Sequence, residues 1–161
     1  MPVEVLRLDL AQTEQAAACL ELLDHYAADP MGGGTGLDPA VRAALVPALG
    51  GLPNFLGGLA WSDGTAVGLI NCFTGFSTFA ARPLLNIHDI VVHADWRGQG
   101  VGQALLAFAE EQARGLGCCK LTLEVLSGNA TALRSYELAG YAPYVLDPAA
   151  GQALFLQKKL D

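Results

Sequence analysis

The hydrophobic positions of this chain change period from one segment to the next, and glycine and proline mark the changes. Val3 to Asp9 (VEVLRLD) alternates apolar and charged residues, which predicts a strand. Thr13 to about Ala28 carries Ala16, Leu20, Leu23 and Ala27 at helical spacing and ends before DPMGGGTGLDP, a loop with four glycines and two prolines. Asp38 is placed to cap a second helix with Pro39 at its first position and Val41, Leu45 and Leu49 on one face; it stops at Gly50 and Gly51. Asn54 to Trp61 and Ala66 to Phe76 are strands joined by SDGT, where Asp-Gly between apolar runs signals a hairpin, and Leu84 to His93 is a further strand. A helix from Gly100 to Leu116 has Val101, Leu105, Phe108 and Leu116 on one face and Gly117 at its C-cap. Then come a strand (118 to 126), a helix (129 to 140) ended by Gly140, and two final strands, 142 to 146 and 152 to 159. The order β-α-α-β-β-β-α-β-α-β-β predicts one α/β domain over residues 1 to 161, with about seven strands and four helices.

Composition narrows the class. An apolar fraction of 52% with 16% charged residues predicts a packed core, and there is no unbroken apolar run of about 20 residues of the kind a membrane span needs. The first residues lack a basic n-region followed by an apolar stretch, so a cytoplasmic location is expected. A formal net charge of −7 repels a phosphate backbone, which argues against nucleic-acid and membrane partners and accommodates a cationic or neutral small molecule. Cys19, Cys72, Cys118 and Cys119 show no zinc spacing and read as buried free thiols, with no metal.

The chemistry concentrates at DWRGQGVGQALL, residues 95 to 106. Glycines at 98, 100 and 102 let backbone come close to a ligand, and the helix behind them offers unpaired N–H groups and the positive end of its dipole. The N–H groups of Gly98, Gln99, Gly100, Val101, Gly102 and Gln103 can thus cradle an anion; alternatively the glycines only make a tight turn. A P-loop would need a lysine after Gly102. A dinucleotide fingerprint starting at Gly98 and Gly100 would need glycine or alanine where Gln103 stands, which disfavours a nicotinamide-dependent oxidoreductase.

Arg97, Gly100 and Gly102 fill the fixed positions of [RQ]-x-x-G-x-[GA], and in this the chain resembles the GNAT N-acetyltransferase superfamily at its acyl-CoA pyrophosphate signature. A second region supports the resemblance: Asn129, Ala132 and Tyr136 stand at i, i+3 and i+7 on one face of a helix, matching the family's N-x-x-A-x-x-x-Y. Read without the family, Asn129 is a good N-cap and Tyr136 a packed amphipathic side chain. The resemblance implies a mixed, mostly antiparallel central sheet, flanked by four helices and splayed between the fourth and fifth strands. It also implies acetyl-CoA as cosubstrate, with Asn129 near the pantetheine arm and Tyr136 near the thioester sulfur as general acid. Ile90, Val91 and Val92 are implied to supply main-chain groups to pantetheine and the acetyl carbonyl. Arg97 either faces a CoA phosphate or fixes the turn through carbonyls.

Acetyl transfer to an amine also needs a proton acceptor, because an alkylammonium with a pKa near 10.4 lies about 4.6 kcal/mol from its neutral form at pH 7. His88 and Asp89 stand on the strand leading to the turn, expected on opposite faces by alternation. Diamine-acetyltransferase-like members carry a glutamate where His88 stands; an imidazole can accept the proton at neutral pH. Otherwise His88 is a satisfied histidine and Asp89 a ligand of N–H groups. Glu124 on the neighbouring strand is another candidate base, or a solvent-facing residue. The glycine-rich loop and FTGFSTFAARP, with Phe73, Phe76 and Phe79, are expected to frame the acceptor, a small amine or a peptide or protein amine. A catalytically weak acyl-CoA sensor on the same fold is the alternative. Dimers are frequent in the resembled family, which makes a homodimer one expected assembly.

Overall fold

Two apolar faces on one sheet organise the chain. The computed structural model describes residues 2 to 160. Five strands, β1 (Glu4–Arg7), β2 (Phe55–Ser62), β3 (Thr65–Ser77), β4 (Arg82–Val92) and β5 (Leu121–Leu123), lie in the order β1-β2-β3-β4-β5. The first three pairings are antiparallel and β4 with β5 is parallel, a mixed and mostly antiparallel sheet. Four helices accompany it: α1 (Thr13–Ala28), α2 (Pro39–Gly50), α3 (Val101–Gly115) and α4 (Ala130–Leu138). Because successive strand residues face opposite sides, β3 serves both cores. Ile70 and Cys72 join Leu85, Ile87, Val101, Leu105 and Phe108 on the α3 face, and Leu69 joins Leu8, Cys19, Leu22, Leu23, Leu59 and Val91 on the α1 face.

Local chemistry places several boundaries. The Asp38 carboxylate accepts the N–H of Ala40 at 2.8 Å with Pro39 at the first helical position, the cap its sequence predicts. Ser62 pairs with Thr65 across Asp63 and Gly64, both at positive φ (47° and 76°), so Asp-Gly makes the two-residue hairpin.

The expectation of about seven strands is corrected to five. The strand expected over 118 to 126 shrinks to three residues, and neither 142 to 146 nor 152 to 159 forms a strand; every residue from Ala142 to Leu160 is exposed. A strand exists only through a paired neighbour, and among the described residues nothing hydrogen-bonds to the outer edge of β5. Leu116 also departs from its expected buried face: α3 ends at Gly115, and Leu116 is 46% exposed.

Candidate functional site

The turn between β4 and α3 is held from three directions. The His25 and His93 rings stack with centroids 4.5 Å apart. His25 Nε2 accepts the N–H of Ala94 at 3.2 Å, and His93 Nδ1 accepts that of Asp95 at 3.3 Å. Arg97 donates from Nε to the Val92 carbonyl (3.3 Å) and from Nη2 to Asp29 Oδ2 (3.0 Å), so its guanidinium is engaged in fixing the turn to the loop after α1. Gly98 and Gly100 take positive φ (74° and 85°), a conformation that favours glycine, and Gly100 caps α3. Gly102 is different: it has no positive φ, and a Cβ there would meet nothing nearer than 3.8 Å. The N–H groups of Gly98 through Gln103 have no hydrogen-bond partner among the described residues, and they sit at the positive end of α3.

Beside this turn, β4 is open. It pairs with β5 only at Leu85, Asn86 and Ile87, and among the described residues no strand lies on that side from His88 to Val92. At the same place β4 bulges: Asn71 faces Asp89 and Cys72 faces Ile87, which leaves His88 as the extra residue. The bulge overturns the expectation that His88 and Asp89 face opposite ways. His88 meets Phe73 edge-on (5.6 Å), Phe73 packs on Phe55 of the α1-side core, and Asp89 accepts the Nδ2–H of Asn71 at 3.2 Å on that same face. Past the bulge, the N–H of His93 pairs with Val67 on β3. Alternation then turns the main chain of Val91 toward β3 and that of Ile90 and Val92 toward the open side. Val91 is accordingly a core residue, 3% exposed. Asn71 is 2% exposed and its Oδ1 has no partner, an orphan acceptor next to the bulge.

Across the gap stands α4. Asn129 caps it, accepting the N–H of Ala132 at 3.2 Å. Its other end closes with Gly140 at φ 92°, the N–H of Gly140 donating to Glu137 and that of Tyr141 to the Tyr136 carbonyl. This termination brings a residue of the last turn against one just beyond the helix, here the rings of Tyr136 and Tyr141 with centroids 6.1 Å apart. Gln103 Nε2 donates to the Ser135 carbonyl (2.8 Å) and hydroxyl (3.0 Å), tying the glycine turn to the residue preceding Tyr136.

Burial sets the protonation of several side chains around the cleft. Burial, and secondarily the neighbouring Tyr26, holds the Tyr136 hydroxyl above the ordinary tyrosine range, so it keeps its proton at neutral pH. Tyr26 is raised too, by burial and then by Asp89 and Asp29. Cys19 and Cys72 are pushed up to about 12, chiefly by burial, which keeps both as inert thiols; Cys118 and Cys119 are only half-buried. Glu124 is exposed and lies one residue beyond β5 rather than on it, and Phe76 and Phe79 are exposed while Phe73 is not. A groove of about 470 Å³ between α1 and the β2–β3 hairpin, lined in part by Glu14, Glu21 and Trp61, reaches the stacked His25 and His93 that hold the turn but includes no residue of the bulge, of α4 or of Gly98 to Gln103.

Comparison with known proteins bears on the same elements. The model of the acetyltransferase (GNAT) family matches residues 21–141, from α1 through the end of α4. The chain belongs to the acetyltransferase (GNAT) family. Streptothricin acetyltransferase of Streptomyces lavendulae is 37% identical over 91 residues, 56% of this chain and 46% of that protein. Aminoalkylphosphonate N-acetyltransferase of Salmonella typhimurium is 36% identical over 89 residues, 55% of this chain and 58% of that protein. The chain thus spans about half the length of the curated relatives it matches. Among solved structures, an aminoglycoside acetyltransferase from an uncultured soil metagenomic sample, in complex with sisomicin, superposes with a TM-score of 0.76 over 99% of this chain and 97% of that one at 18% identity. An aminoglycoside N-acetyltransferase in complex with CoA gives 0.73 over 98% and 95% at 13% identity. These likenesses show the GNAT fold: four helices on an open mixed sheet.

Within that family frame, the residues singled out from sequence fall into three groups. Arg97, Gly98, Gln99, Gly100, Val101, Gly102 and Gln103 form one continuous turn; His88, Asp89, Ile90 and Val92 line the opened stretch of β4; Asn129 and Tyr136 stand on α4. Val91 stands apart from them, and Glu124 follows the Leu123 that pairs with Ile87 just before the bulge. Asp29, Ser135 and Tyr26 were missed. Asp29 looks like a loop residue and Ser135 like a helix filler, since their partners lie 68 and 32 positions away along the chain.

Proposed function

We propose that this chain is an acetyl-CoA-dependent N-acetyltransferase that transfers the acetyl group directly to a primary amine. The observation that carries the reading is the run of six unpartnered N–H groups from Gly98 to Gln103, joined through Gln103 and Ser135 to a helix whose Tyr136 keeps its proton. The run suits a pyrophosphate, and Gly102, which neither φ nor neighbouring atoms require to be glycine, leaves room for one to approach. Where β5 leaves β4, the main chain of Ile90 and the N–H of Val92 need a partner, the Val92 carbonyl being taken by Arg97, and an extended pantetheine with its acetyl carbonyl supplies it. Asn129 spends its Oδ1 on the cap and has its Nδ2 free for the same arm. Arg97 holds the turn through Asp29 rather than facing a phosphate.

The chemistry follows from these positions. The neutral amine attacks the thioester carbon, the C–N bond forms, and the C–S bond breaks as the tetrahedral intermediate collapses. The departing sulfur takes the Tyr136 proton, which solvent then replaces. The amine's surplus proton goes to His88, exposed at the bulge and held edge-on by Phe73, directly or through water. Asp89, engaged with Asn71, sets the polarity of that corner, and Glu124, which follows the Leu123 that pairs with Ile87 just before the bulge, is the second candidate base. The high-lying thiols of Cys19 and Cys72 favour direct transfer over an acyl-cysteine intermediate.

An amine acceptor is supported by the relatives, whose names include N-acetyltransferases of an aminoalkylphosphonate and of thialysine. The net charge of −7 favours a cationic amine over an anionic one. Steady-state turnover of acetyl-CoA with a panel of aminoglycosides, aminoalkylphosphonates, amino acids and peptides tests the reading. Transfer to at least one amine is expected; saturable CoA binding with no transfer to any would replace it with the acyl-CoA sensor.

A further inference from the structure

Two histidines that the proposed chemistry does not use stand directly behind the glycine turn. His25 comes from the last turn of α1 and His93 directly follows β4, and they meet as near-parallel rings, centroids 4.5 Å apart at an angle of 16°. Each spends one ring nitrogen on a main-chain N–H: His25 Nε2 accepts from Ala94 at 3.2 Å and His93 Nδ1 from Asp95 at 3.3 Å. A backbone N–H only donates, and a ring nitrogen accepts only while it carries no proton. Both rings are therefore neutral in this arrangement, with the proton of His25 on Nδ1 and that of His93 on Nε2. The two bonds fix the start of the short helical turn Ala94–Trp96, which delivers Arg97 and the glycines. Among the described residues, the hydrogen bond that His25 accepts is the only one between α1 and this segment; the Asp29 to Arg97 ion pair adds a second tie from the loop beyond.

We infer that His25 and His93 are positioning residues for the acyl-CoA donor: stacked and neutral, they hold the Gly98 to Gln103 run in its receiving shape, and a proton on either ring loosens it. The inference rests on the donor reading given above. A proton turns an accepting nitrogen into a second donor that faces an N–H, so the bond to Ala94 or to Asp95 is lost. A second proton sets two like charges at the stacking distance. His93 has an alternative partner at hand: Asp95 Oδ2 lies 3.7 Å from the same Nδ1, so the protonated ring exchanges its main-chain bond for an ion pair within the turn. The His93 side chain is 39% exposed, which leaves it open to protons from solvent. The charged groups that face the pair are Glu14 and Glu21 of α1 along the groove, Asp29 after α1, and Asp95 and Arg97 on the turn; the groove lining from β2 and β3 carries no charge. Arg97 is already engaged by Asp29, so a charged ring meets carboxylates rather than a free cation. The two main-chain bonds are complete above the range in which histidines titrate and are lost as pH falls through it.

Two measurements that need no acetyl transfer test this: amide resonances of the ligand-free chain, and calorimetric binding of CoA. The Ala94 and Asp95 N–H signals are expected to titrate between about pH 8 and about pH 5.5, and CoA affinity to fall about tenfold over the same interval. In the double substitution His25→Gln with His93→Asn, amide oxygens take the place of the accepting nitrogens and cannot gain a proton there. Both pH effects are expected to disappear, since any titration of CoA's own phosphates is common to the two proteins. His25→Ala with His93→Ala, which offers no acceptor, should bind CoA about tenfold more weakly at pH 8 than the Gln and Asn variant. If the alanine variant does not fold, the comparison of the parent with the Gln and Asn variant decides alone. Amide signals that do not move with pH overturn the assignment, as does a Gln and Asn variant whose CoA affinity falls with acid as steeply as the parent's. A parent whose Ala94 and Asp95 signals titrate but which binds no CoA at pH 8 supports the proton-sensitive stack and overturns the donor reading instead.

Discussion

The glycine turn leads into α3, whose Val101, Leu105, Leu106, Phe108, Ala109 and Ala113 are all buried, whereas α4, which carries Tyr136, buries no residue completely. The first region owes its rigidity to apolar contact with β2, β3 and β4. The second is held by few and specific contacts: the Gln103 to Ser135 hydrogen bonds, the Asn129 cap, and the Tyr136 to Tyr141 ring contact. Stability is distributed unevenly, and the loosely held part is where local opening is cheapest. The proposed donor cradle thus sits on the rigid side of the cleft, and the proposed proton donor on the yielding side.

That contrast can be broken by experiment. The largest effect is expected from Tyr136→Phe, which removes a proton donor without removing its packing: turnover falls by about 10² to 10⁴ while the melting temperature and acetyl-CoA affinity stay near those of the parent. Loss of stability comparable to a core truncation would mean that α4 is structural after all. Leu105→Ala, at a site with 0% exposure, is expected to cost about 2–5 kcal/mol in chemical denaturation. Should it cost less than 1 kcal/mol, α3 is not the anchor of the turn.

The pH profile sharpens the same comparison. Burial raises the Tyr136 hydroxyl above the ordinary value of 10.0. The protonated donor is therefore complete below that value and lost only as pH rises through the raised one. The alkaline limb of kcat should lie above pH 10 in the parent and vanish in Tyr136→Phe; a limb near 8 assigns the role to another group. Asp29 moves the opposite way. The N–H of Met31 first, and then Arg97, hold its carboxyl below the usual range, so the contribution is present above about pH 4 and lost as pH falls through the lowered value. Asp29→Asn should flatten that acid dependence in thermal unfolding and weaken acetyl-CoA binding a few-fold by loosening the turn. The smallest effect belongs to Leu138→Ala, 74% exposed on α4, with less than about 0.5 kcal/mol expected in the isolated chain. A larger loss would mean that this exposed face of α4 is held as firmly as the Ser135 side.

The accuracy with which elements could be read from sequence follows the same division. α1, α2 and the β2–β3 hairpin are legible because caps and turns are local: Asp38 with Pro39, and Asp63 with Gly64, act within four residues of themselves. The two strands expected after residue 141 have apolar runs of strand length and no partner among the described residues, and nothing local can signal that. The bulge at His88 is likewise invisible, since it is a mismatch between β3 and β4 rather than a property of either, and it reverses which face His88 shares with Asp89.

By itself, the amino-acid sequence determined what depends on neighbours along the chain: the glycine spacing that frees six N–H groups at a helix mouth, the i, i+3, i+7 set of Asn129, Ala132 and Tyr136, and the net charge of −7. Only the tertiary structure decided what depends on distant neighbours: that Arg97 spends its charge on Asp29, that Gln103 joins the turn to α4, and that β5 parts from β4 after Ile87. Hydrogen bonds and burial act over a few ångströms of space, and residues that folding brings that close can be 68 positions apart in the chain.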